Sequence, residues 1–301
     1  MSNDILPKAS YWGIPDSLTQ LDGFWLISTA VDPATTFRSN FNARDDDVIL
    51  ASMLKTGTTW LKALAHSILK KGESGDPLTK DNPHNLVPTL EFEALSSANT
   101  KFDIYDASGP RLLHTHLPYS ILPGSVKNSA CKIVYIARNP KDTLISMWHF
   151  YNAIVVMGGQ EPVSLDEAVD GFCSGVHPFG PFSDHAAEYW LESRRWPEKV
   201  LFLKYEEMKS DPKREVSRIA EFMGRPLTKE GEAEELLWRC SLERLKNLEV
   251  NSTGHDVGPM PNAAFFRKGQ VGDYKNYLTS QMEERIHQTV GLKLEALGIF
   301  F

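Results

Sequence analysis

The amino-acid sequence predicts an α/β fold with three layers, in which helices flank a central parallel β-sheet. Short apolar runs rich in β-branched residues alternate with longer segments of helical period, and this alternation is typical of that architecture. The chain has 301 residues, of which 42% are hydrophobic, and no low-complexity tract or composition break divides it. We therefore expect a single domain over residues 1–301, with residues 1–20 as a loosely ordered N-terminal segment.

Three strands are predicted at residues 47–53, 131–137 and 200–204. Each strand is followed by polar residues: KTGTT after the first, Arg138 and Asn139 after the second, and Tyr205 after the third. Because ligands of open α/β sheets bind outside the carboxyl ends of the strands, we expect these three loops to share one crevice.

Helices are predicted after these loops. Apolar residues within 60–69 recur at helical spacing, and two further helices are expected at about residues 142–152 and 213–223. Residues 162–181 are rich in proline and glycine, so we expect this stretch to run over the surface as a lid or rim.

The overall charge and the cysteine content exclude some classes of partner. The formal net charge is −7 and the pI is near 5.7, so the electrostatic field repels nucleic acid. The three cysteines, Cys131, Cys173 and Cys240, form no C-x-x-C pair, which favours a reducing compartment. No stretch reaches the roughly 18 apolar residues of a membrane span, so we expect a soluble, cytoplasmic protein without a membrane partner.

The first loop contains the parts of an anion site but not the order of a nucleotide-binding loop. A Walker A motif places its lysine after the second of two glycines, whereas here Lys55 precedes the single Gly57. A strand end, a lysine, a glycine, two hydroxyls and a helix N-terminus nevertheless favour an anion. An ordinary turn with a solvated lysine and a threonine N-cap explains this stretch alone equally well.

Two other loops add cations at element boundaries. Arg138 directly follows a predicted strand, and Ser146 lies eight residues further on. Towards the C-terminus, Arg267, Lys268 and Gly269 follow an apolar run in AAFFRKGQVGDYKN. A lone arginine at a strand end more often pairs with a surface carboxylate, so the indication of an anion site comes from three such loops together.

These motifs carry a family resemblance that extends over nearly the whole chain. KTGTTWLKAL, RNPKD with its downstream serine, THLPYSILP and FFRKGQVGDYKN occur in the order and approximate spacing of the cytosolic sulfotransferases. DGFW, FNARDDDVILAS and NLEVN are most similar to the plant branch of that family. The resemblance implies a P-loop-like sulfotransferase fold and transfer of a sulfuryl group from 3′-phosphoadenosine 5′-phosphosulfate (PAPS), which leaves adenosine 3′,5′-bisphosphate (PAP).

The resemblance also implies which residues bind PAPS. The 5′-phosphosulfate would be held by the first loop, with Lys55 at the leaving oxygen; the loop residues are Lys55, Thr56, Gly57, Thr58, Thr59 and Trp60. The 3′-phosphate would be bound by Arg138, Ser146, Arg267, Lys268 and Gly269. The adenine would contact Trp60, Tyr205, Cys240 and Leu242. Leu54, Cys240 and Leu242 depart from the residues usual in the family, so we expect a weaker affinity for PAPS.

A histidine is the expected catalytic base. His116 in LLHTHLPYS occupies the catalytic position of the family, and a histidine is well suited to accept the proton of the attacking hydroxyl. His114 and His116 could form a metal pair on an extended segment, but no third ligand lies at a suitable spacing, and the family reaction uses no bound metal. In animal members a lysine often occupies the position of His114.

The acceptor pocket is expected to be aromatic. Phe24, Trp25, Trp148, Phe150 and Tyr151 lie in segments where the family binds its acceptor, together with His116. Such walls favour a flat or ring-bearing molecule with one hydroxyl, and a flavonoid or another phenol is preferred. Steroids, hydroxyjasmonates and desulfoglucosinolates are left open.

Three further questions concern partners and competing functions. Lys275, Thr279 and Glu284 match a dimer segment of animal relatives, but Ser280 replaces its valine, so we favour a monomer and leave a weak homodimer open. One competing hypothesis is a nucleotide-dependent small-molecule kinase, which would require a Walker lysine and a Mg²⁺ aspartate. Another is a non-catalytic or regulatory protein that binds PAPS or PAP.

Overall fold

The computed structural model describes residues 6–12, 14–92, 109–255 and 260–301 of the chain. Near the N-terminus, three antiparallel strands form a small sheet: β1 is Lys8–Tyr11, β2 is Ile14–Leu21 and β3 is Phe24–Ile27. The expectation of a loosely ordered segment over residues 1–20 is therefore wrong for residues 8–11 and 14–20. Residues 1–5 and 13 lie outside the described residues.

Four parallel strands form the central sheet, in the order β5-β4-β6-β7. They are β4 (Val48–Ser52), β5 (Leu112–Thr115), β6 (Lys132–Ala137) and β7 (Val200–Lys204). The three strands predicted from the sequence are confirmed as β4, β6 and β7. The fourth, β5, pairs with β4 from the other side and brings His114 level with Leu50.

Helices cover both faces of this sheet, as the sequence predicts. The helices are α1 (Val31–Asn40), α2 (Thr58–Leu69), α3 (Pro83–Leu86), α4 (Gly124–Asn128), α5 (Pro140–Met157), α6 (Leu165–Cys173), α7 (Phe182–Arg195), α8 (Tyr205–Ser210), α9 (Pro212–Phe222), α10 (Glu232–Arg239), α11 (Leu242–Asn247), α12 (Glu249–Ser252), α13 (Ser280–Ile286) and α14 (Leu292–Glu295). A single π-helical turn, His287–Gly291, joins the last two. In the described ranges no helix is both long enough and apolar enough to cross a membrane.

The alternation of side chains along the strands divides the core between the two faces of the sheet. Ile49 and Tyr135 pack on the face that carries the N-terminal sheet, α1, α5 and α7. Leu50 and Val134 pack on the opposite face, against α2, α9 and α10. Burial on both faces explains why these strands read as near-continuous apolar runs in the sequence.

The stretch 162–181 differs from its prediction as a surface lid or rim. It contains α6, whose Val169 and Phe172 are buried, and it ends in a buried segment that includes Phe179. Phe179 N donates to Trp25 O at 2.6 Å, and Trp25 N donates to Gly180 O at 2.8 Å, which joins the segment to β3. The prolines and glycines of this stretch therefore shape a packed element of the core.

A buried ion pair holds the start of β4 against the start of β5. Arg111 donates to Asp47 through Nε at 2.7 Å and through Nη2 at 2.6 Å, and both side chains are almost fully buried. The carboxylate also accepts from Arg44 N at 2.7 Å. This bidentate geometry satisfies both charges where water cannot reach them.

Replacing Asp47 with alanine should lower the free energy of unfolding by about 3–5 kcal/mol, because Arg111 would stay buried without its carboxylate. A urea titration followed by circular dichroism measures this change. Asp46→Ala is the matched control because Asp46 is exposed, and its effect should stay within about 0.5 kcal/mol. Equal losses of stability in the two variants would contradict the role assigned to the pair.

Candidate active site

A cavity of about 350 Å³ lies at the carboxyl ends of the parallel strands. Each of the four strands supplies a lining residue just beyond its end: Lys55 after β4, His116 after β5, Arg138 after β6 and Tyr205 after β7. The expectation that the loops after β4, β6 and β7 share one crevice is therefore confirmed. Parallel pairing explains this arrangement because it brings all four carboxyl ends to the same edge.

Most residues predicted to bind the donor line this cavity. They are Lys55, Gly57, Thr58, Thr59, Trp60, Arg138, Ser146, Tyr205, Cys240, Leu242, Arg267, Lys268 and Gly269, together with the predicted base His116. The cations among the lining residues are Lys55, Arg138, Lys209, Arg267 and Lys268. No aspartate or glutamate is among the described residues that line it, so the cavity lining is positively charged although the net charge of the chain is negative.

The first loop approaches the cavity in a strained backbone conformation. Lys55 has φ of +68° and Gly57 has φ of +122°. A Cβ on Gly57 would lie 2.9 Å from both Ile136 Cδ1 and Tyr205 Cδ2, so this position requires glycine. Thr56 does not line the cavity. Its buried hydroxyl lies 2.8 Å from Met53 O and 2.9 Å from Ile136 O, and it ties the loop to β6.

Lys55 lies over aromatic rings at one end of the cavity. Its Nζ is 3.9 Å from the ring centroid of Phe150 and 5.7 Å from that of Phe265. Burial, followed by the positive charges of Arg267 and Arg138, lowers the pKa of Lys55 to about 7. An anion in the cavity would reverse that effect because it stabilises the ammonium form.

Arg138 and Arg267 both line the cavity, and the hydrogen-bonding capacity of each guanidinium is only partly used. Arg138 donates through Nη2 to Gln270 O at 2.7 Å, and Arg267 donates through Nη1 to Asp273 Oδ2 at 2.8 Å. The Nε atoms of both arginines are buried without a hydrogen-bond partner in the described ranges. Orphaned buried donors are costly, so they indicate that a ligand completes their hydrogen bonding.

A buried carboxylate fixes the C-terminal segment that carries Arg267. Asp142 accepts from Gly272 N at 2.7 Å and from Tyr274 N at 3.0 Å, and it lies 3.7 Å from Arg138 Nη2. The N-terminus of α5 therefore anchors residues that follow it by about 130 positions in the sequence. Asp273 in turn holds Arg267 and Lys268, the latter at 2.9 Å.

The apolar part of the cavity lies around Tyr205. The ring of Trp60 meets that of Tyr205 edge-on, with centroids 5.6 Å apart, and Tyr205 OH donates to Gly269 O at 2.9 Å. Gly269 has φ of +61°, and a Cβ there would lie 2.7 Å from Leu242 Cδ2. Cys240 completes this wall. A flat ring could be held here between apolar side chains.

His116 is held in one tautomer by its surroundings. Its Nδ1 lies 2.8 Å from Ser52 O, and because a carbonyl only accepts, Nδ1 carries the proton and Nε2 keeps a lone pair. Glu91 accepts from His116 N at 2.6 Å and from Thr115 Oγ1 at 2.8 Å. Burial above all lowers the pKa of His116 to about 3, with smaller contributions from nearby cations.

Of the aromatic residues predicted for the acceptor, Phe150 lines the cavity. The other four, Phe24, Trp25, Trp148 and Tyr151, do not line it. Phe24 packs edge-on against His185, whose Nε2 lies 2.9 Å from His116 O, and Trp25 pairs with Gly180. Trp148 donates through Nε1 to Val163 O at 2.9 Å. Tyr151 packs against the rings of Tyr11 and Trp12, at 5.3 Å and 5.2 Å. Their role in binding an acceptor remains a prediction.

Several lining residues were missed at the sequence level. His84, Phe265, Phe266 and Lys209 line the cavity, and Phe92 and Phe179 pack around His116 with centroids 6.1 Å and 5.4 Å away. Phe265 and Phe266 directly precede the predicted Arg267, so their position beside that motif was the available signal. His84 follows no periodic pattern, and only the fold brings it near Thr59.

Comparison with known proteins agrees with this geometry. Residues 45–298 match the family described as the sulfotransferase domain. The chain is 42% identical to cytosolic sulfotransferase 5 of Arabidopsis thaliana over 95% of this chain and 91% of the relative. It is 41% identical to cytosolic sulfotransferase 1 of the same plant over 94% of this chain and 89% of the relative.

Solved structures show the same fold. A sulphotransferase from Arabidopsis thaliana superposes with a TM-score of 0.79 at 33% identity, covering 99% of this chain and 93% of that protein. A mouse sulfotransferase complexed with PAP superposes with a TM-score of 0.72 at 26% identity, covering 93% and 97%. The family match, the plant relatives and the fold together establish that this chain belongs to the plant-type cytosolic sulfotransferase family and is a sulfotransferase.

Proposed function

We propose that this enzyme binds PAPS in the cavity and transfers its sulfuryl group to a hydroxyl of a small ring-bearing metabolite. The observation that carries the proposal is the charge of the cavity, which is lined by cations without a carboxylate in the described ranges. Two buried arginine Nε atoms also lack partners there. A ligand with two separate anionic ends would balance the cations and accept hydrogen bonds from the two arginine Nε atoms. The PAP bound to the similar mouse enzyme supports this choice.

The donor is held in three parts. Lys55 and the hydroxyls of Thr58 and Thr59 bind the 5′-phosphosulfate. Thr56 supports this loop through the hydrogen bonds of its hydroxyl to Met53 O and Ile136 O. Arg138 and Arg267 bind the 3′-phosphate; they are joined there by Ser146, Lys268 and Gly269. The adenine lies against Trp60, Tyr205, Cys240 and Leu242. No bound metal takes part in this scheme.

His116 accepts the proton of the attacking hydroxyl through Nε2. The acceptor oxygen forms a bond to sulfur as the bond between sulfur and the bridging oxygen breaks, and the leaving phosphate keeps that electron pair. Lys55 stabilises the charge that develops on the phosphate. The pKa of about 3 makes His116 a weak base in the free protein, but the negative donor favours the imidazolium and so raises that pKa.

The acceptor side is aromatic around His116. Phe92 and Phe179 pack near its ring. Phe24 packs against His185, whose Nε2 lies 2.9 Å from His116 O. We favour a flavonoid or another phenol, with steroids, hydroxyjasmonates and desulfoglucosinolates as alternatives. We also propose a cytoplasmic location, as the names of the plant relatives suggest, and a monomer, because Ser280 replaces an apolar dimer contact.

Mutation of His116 tests the catalytic assignment. His116→Ala should reduce sulfate transfer to a panel of phenols by about 10² to 10⁴-fold and leave PAP affinity within a few-fold, because the base acts on the acceptor. His287→Ala is the control, since His287 lies on the π-helical turn away from the cavity, and it should keep full activity. Equal activity of His116→Ala and wild type would contradict the assignment of His116 as the catalytic base.

The pH dependence of PAP binding tests Lys55. Because its pKa is about 7 in the free protein and an anion favours the charged form, the affinity should be full below pH 7. Above pH 7 it should weaken by up to about tenfold per unit, until the pKa of the bound state is reached. Lys55→Arg stays charged and should lose this slope in calorimetry. The same slope in both proteins would contradict the role of Lys55.

Nucleotide selectivity separates the competing hypotheses. PAP should raise the melting temperature well above the effect of ATP at the same concentration, because only PAP carries a 3′-phosphate for Arg138 and Arg267. A larger shift with ATP and Mg²⁺ would favour a kinase instead. A PAP-binding protein that sulfates no acceptor of the panel would favour the non-catalytic alternative.

A further inference from the structure

A buried lysine lies behind the phosphosulfate end of the cavity. Lys62 on α2 is fully buried and does not line the cavity. Its Nζ lies 2.9 Å from Thr89 Oγ1 and 3.4 Å from His84 Nδ1. An ammonium group donates hydrogen bonds and accepts none, so the Thr89 oxygen and the His84 nitrogen must both act as acceptors.

The first chain runs from Lys62 through His84 to Thr59. Burial, followed by the charge of Lys62, lowers the pKa of His84 well below its ordinary value, so the ring is neutral and carries one proton. Since Nδ1 accepts from Lys62, that proton is on Nε2, which lies 2.9 Å from Thr59 Oγ1. The Thr59 oxygen therefore accepts, and its own proton remains to be donated.

The second chain runs from Lys62 through three residues to Thr58. Thr89 Oγ1 accepts from Lys62 and keeps its own hydroxyl proton, which in this polarity is donated to His114 Nδ1 at 3.1 Å. Burial, followed by Lys62, also keeps the pKa of His114 well below its ordinary value. His114 Nε2 then donates to Ser52 Oγ at 2.9 Å, and Ser52 donates to Thr58 Oγ1 at 2.7 Å.

Both chains therefore end on threonines of the first loop with the same polarity. Thr58 and Thr59 line the cavity, and neither hydroxyl has another hydrogen-bond partner in the described ranges. The reverse polarity would direct oxygen lone pairs towards a bound anion and repel it. As an ammonium, Lys62 has no lone pair to offer, which excludes the reverse polarity in the first chain. In the second chain it occupies one lone pair of Thr89 and so favours the stated polarity.

We propose that Lys62 is a positioning residue that orients both hydrogen-bond chains, so that Thr58 and Thr59 present their protons to an anion in the cavity. The proposal rests on the proposed binding of PAPS at this end of the cavity. Lys62 itself touches no ligand. It fixes the direction of donors that are then prearranged for the phosphosulfate.

Double-mutant cycles on PAP affinity, measured by calorimetry, test the proposed direction of the hydrogen bonds in the two chains. Thr58→Val and Thr59→Val should each weaken binding by about 10 to 100-fold, as expected for a lost hydrogen bond to a charged group. Thr89→Val keeps the shape of the side chain but cuts the second chain alone. It should weaken binding by about 3 to 10-fold in wild type and in Thr59→Val, but by less than about twofold in Thr58→Val.

The lysine is tested directly with Lys62→Met. Binding should weaken in wild type and in each single threonine variant, and should change by less than about twofold when Thr58 and Thr59 are both valine. Lys70→Met, at the exposed end of the same helix, is the matched control and should bind as wild type does. Melting temperatures of all variants identify losses that come from unfolding, and the Thr89 cycle decides the question if Lys62→Met does not fold.

Two results would count against the inference, and they can be told apart. If wild type binds PAP tightly but Thr89→Val has the same effect in the Thr58→Val and Thr59→Val backgrounds, the network supports only the fold and the inference is wrong. If wild type binds no PAP at all, the proposed function is wrong and the inference is wrong with it.

Discussion

The candidate active site depends on several cations that line one cavity while the carboxylates that pair with them lie outside its lining. Lys55, Arg138 and Arg267 reach the cavity from three separate parts of the chain. The carboxylates of Asp142 and Asp273 bind the backbone and the outer faces of the cations but do not line the cavity in the described ranges. Part of each guanidinium is thereby left for a ligand. In the proposed complex, the anionic donor supplies the negative charge that balances these cations.

Close backbone packing makes this arrangement specific. The ring of Tyr205 lies between two glycines: a Cβ on Gly57 would meet it at 2.9 Å, and one on Gly269 would meet its hydroxyl at 3.3 Å. The loop after β4 and the segment after Arg267 therefore both pack against the side chain of Tyr205. A side chain at either glycine would push the loop that carries Lys55 and the segment that carries Arg267 apart. This packing thus sets the distance between Lys55 and Arg267 across the cavity.

The protonation state of the histidines around the cavity is determined mainly by their burial. Burial lowers the pKa of His84, His114 and His116 and keeps these rings neutral, and the hydrogen bond to Ser52 O determines which nitrogen of His116 carries the proton. Ser52 connects two of them, because its carbonyl accepts from His116 Nδ1 and its hydroxyl lies 2.9 Å from His114 Nε2. The position of His114, where animal relatives often carry a lysine, therefore holds a neutral link in this enzyme. The nearby positive charge comes from Lys62 on α2.

The sequence alone located three strands of the central sheet and most residues that line the cavity. Strands buried on both faces produce continuous apolar runs, so β4, β6 and β7 could be located, and the polar residues that follow them marked the cavity. Features that depend on packing between distant segments became visible only in the structure. The tertiary structure formed β5 and the N-terminal sheet, brought His84 beside Thr59, and placed Trp148 and Tyr151 in packed surroundings outside the described cavity. A local sequence pattern indicates which face of a helix or strand is buried, but it does not indicate which other element covers that face. The covering element decides whether an aromatic or histidine side chain lies in the hydrophobic core or lines the cavity.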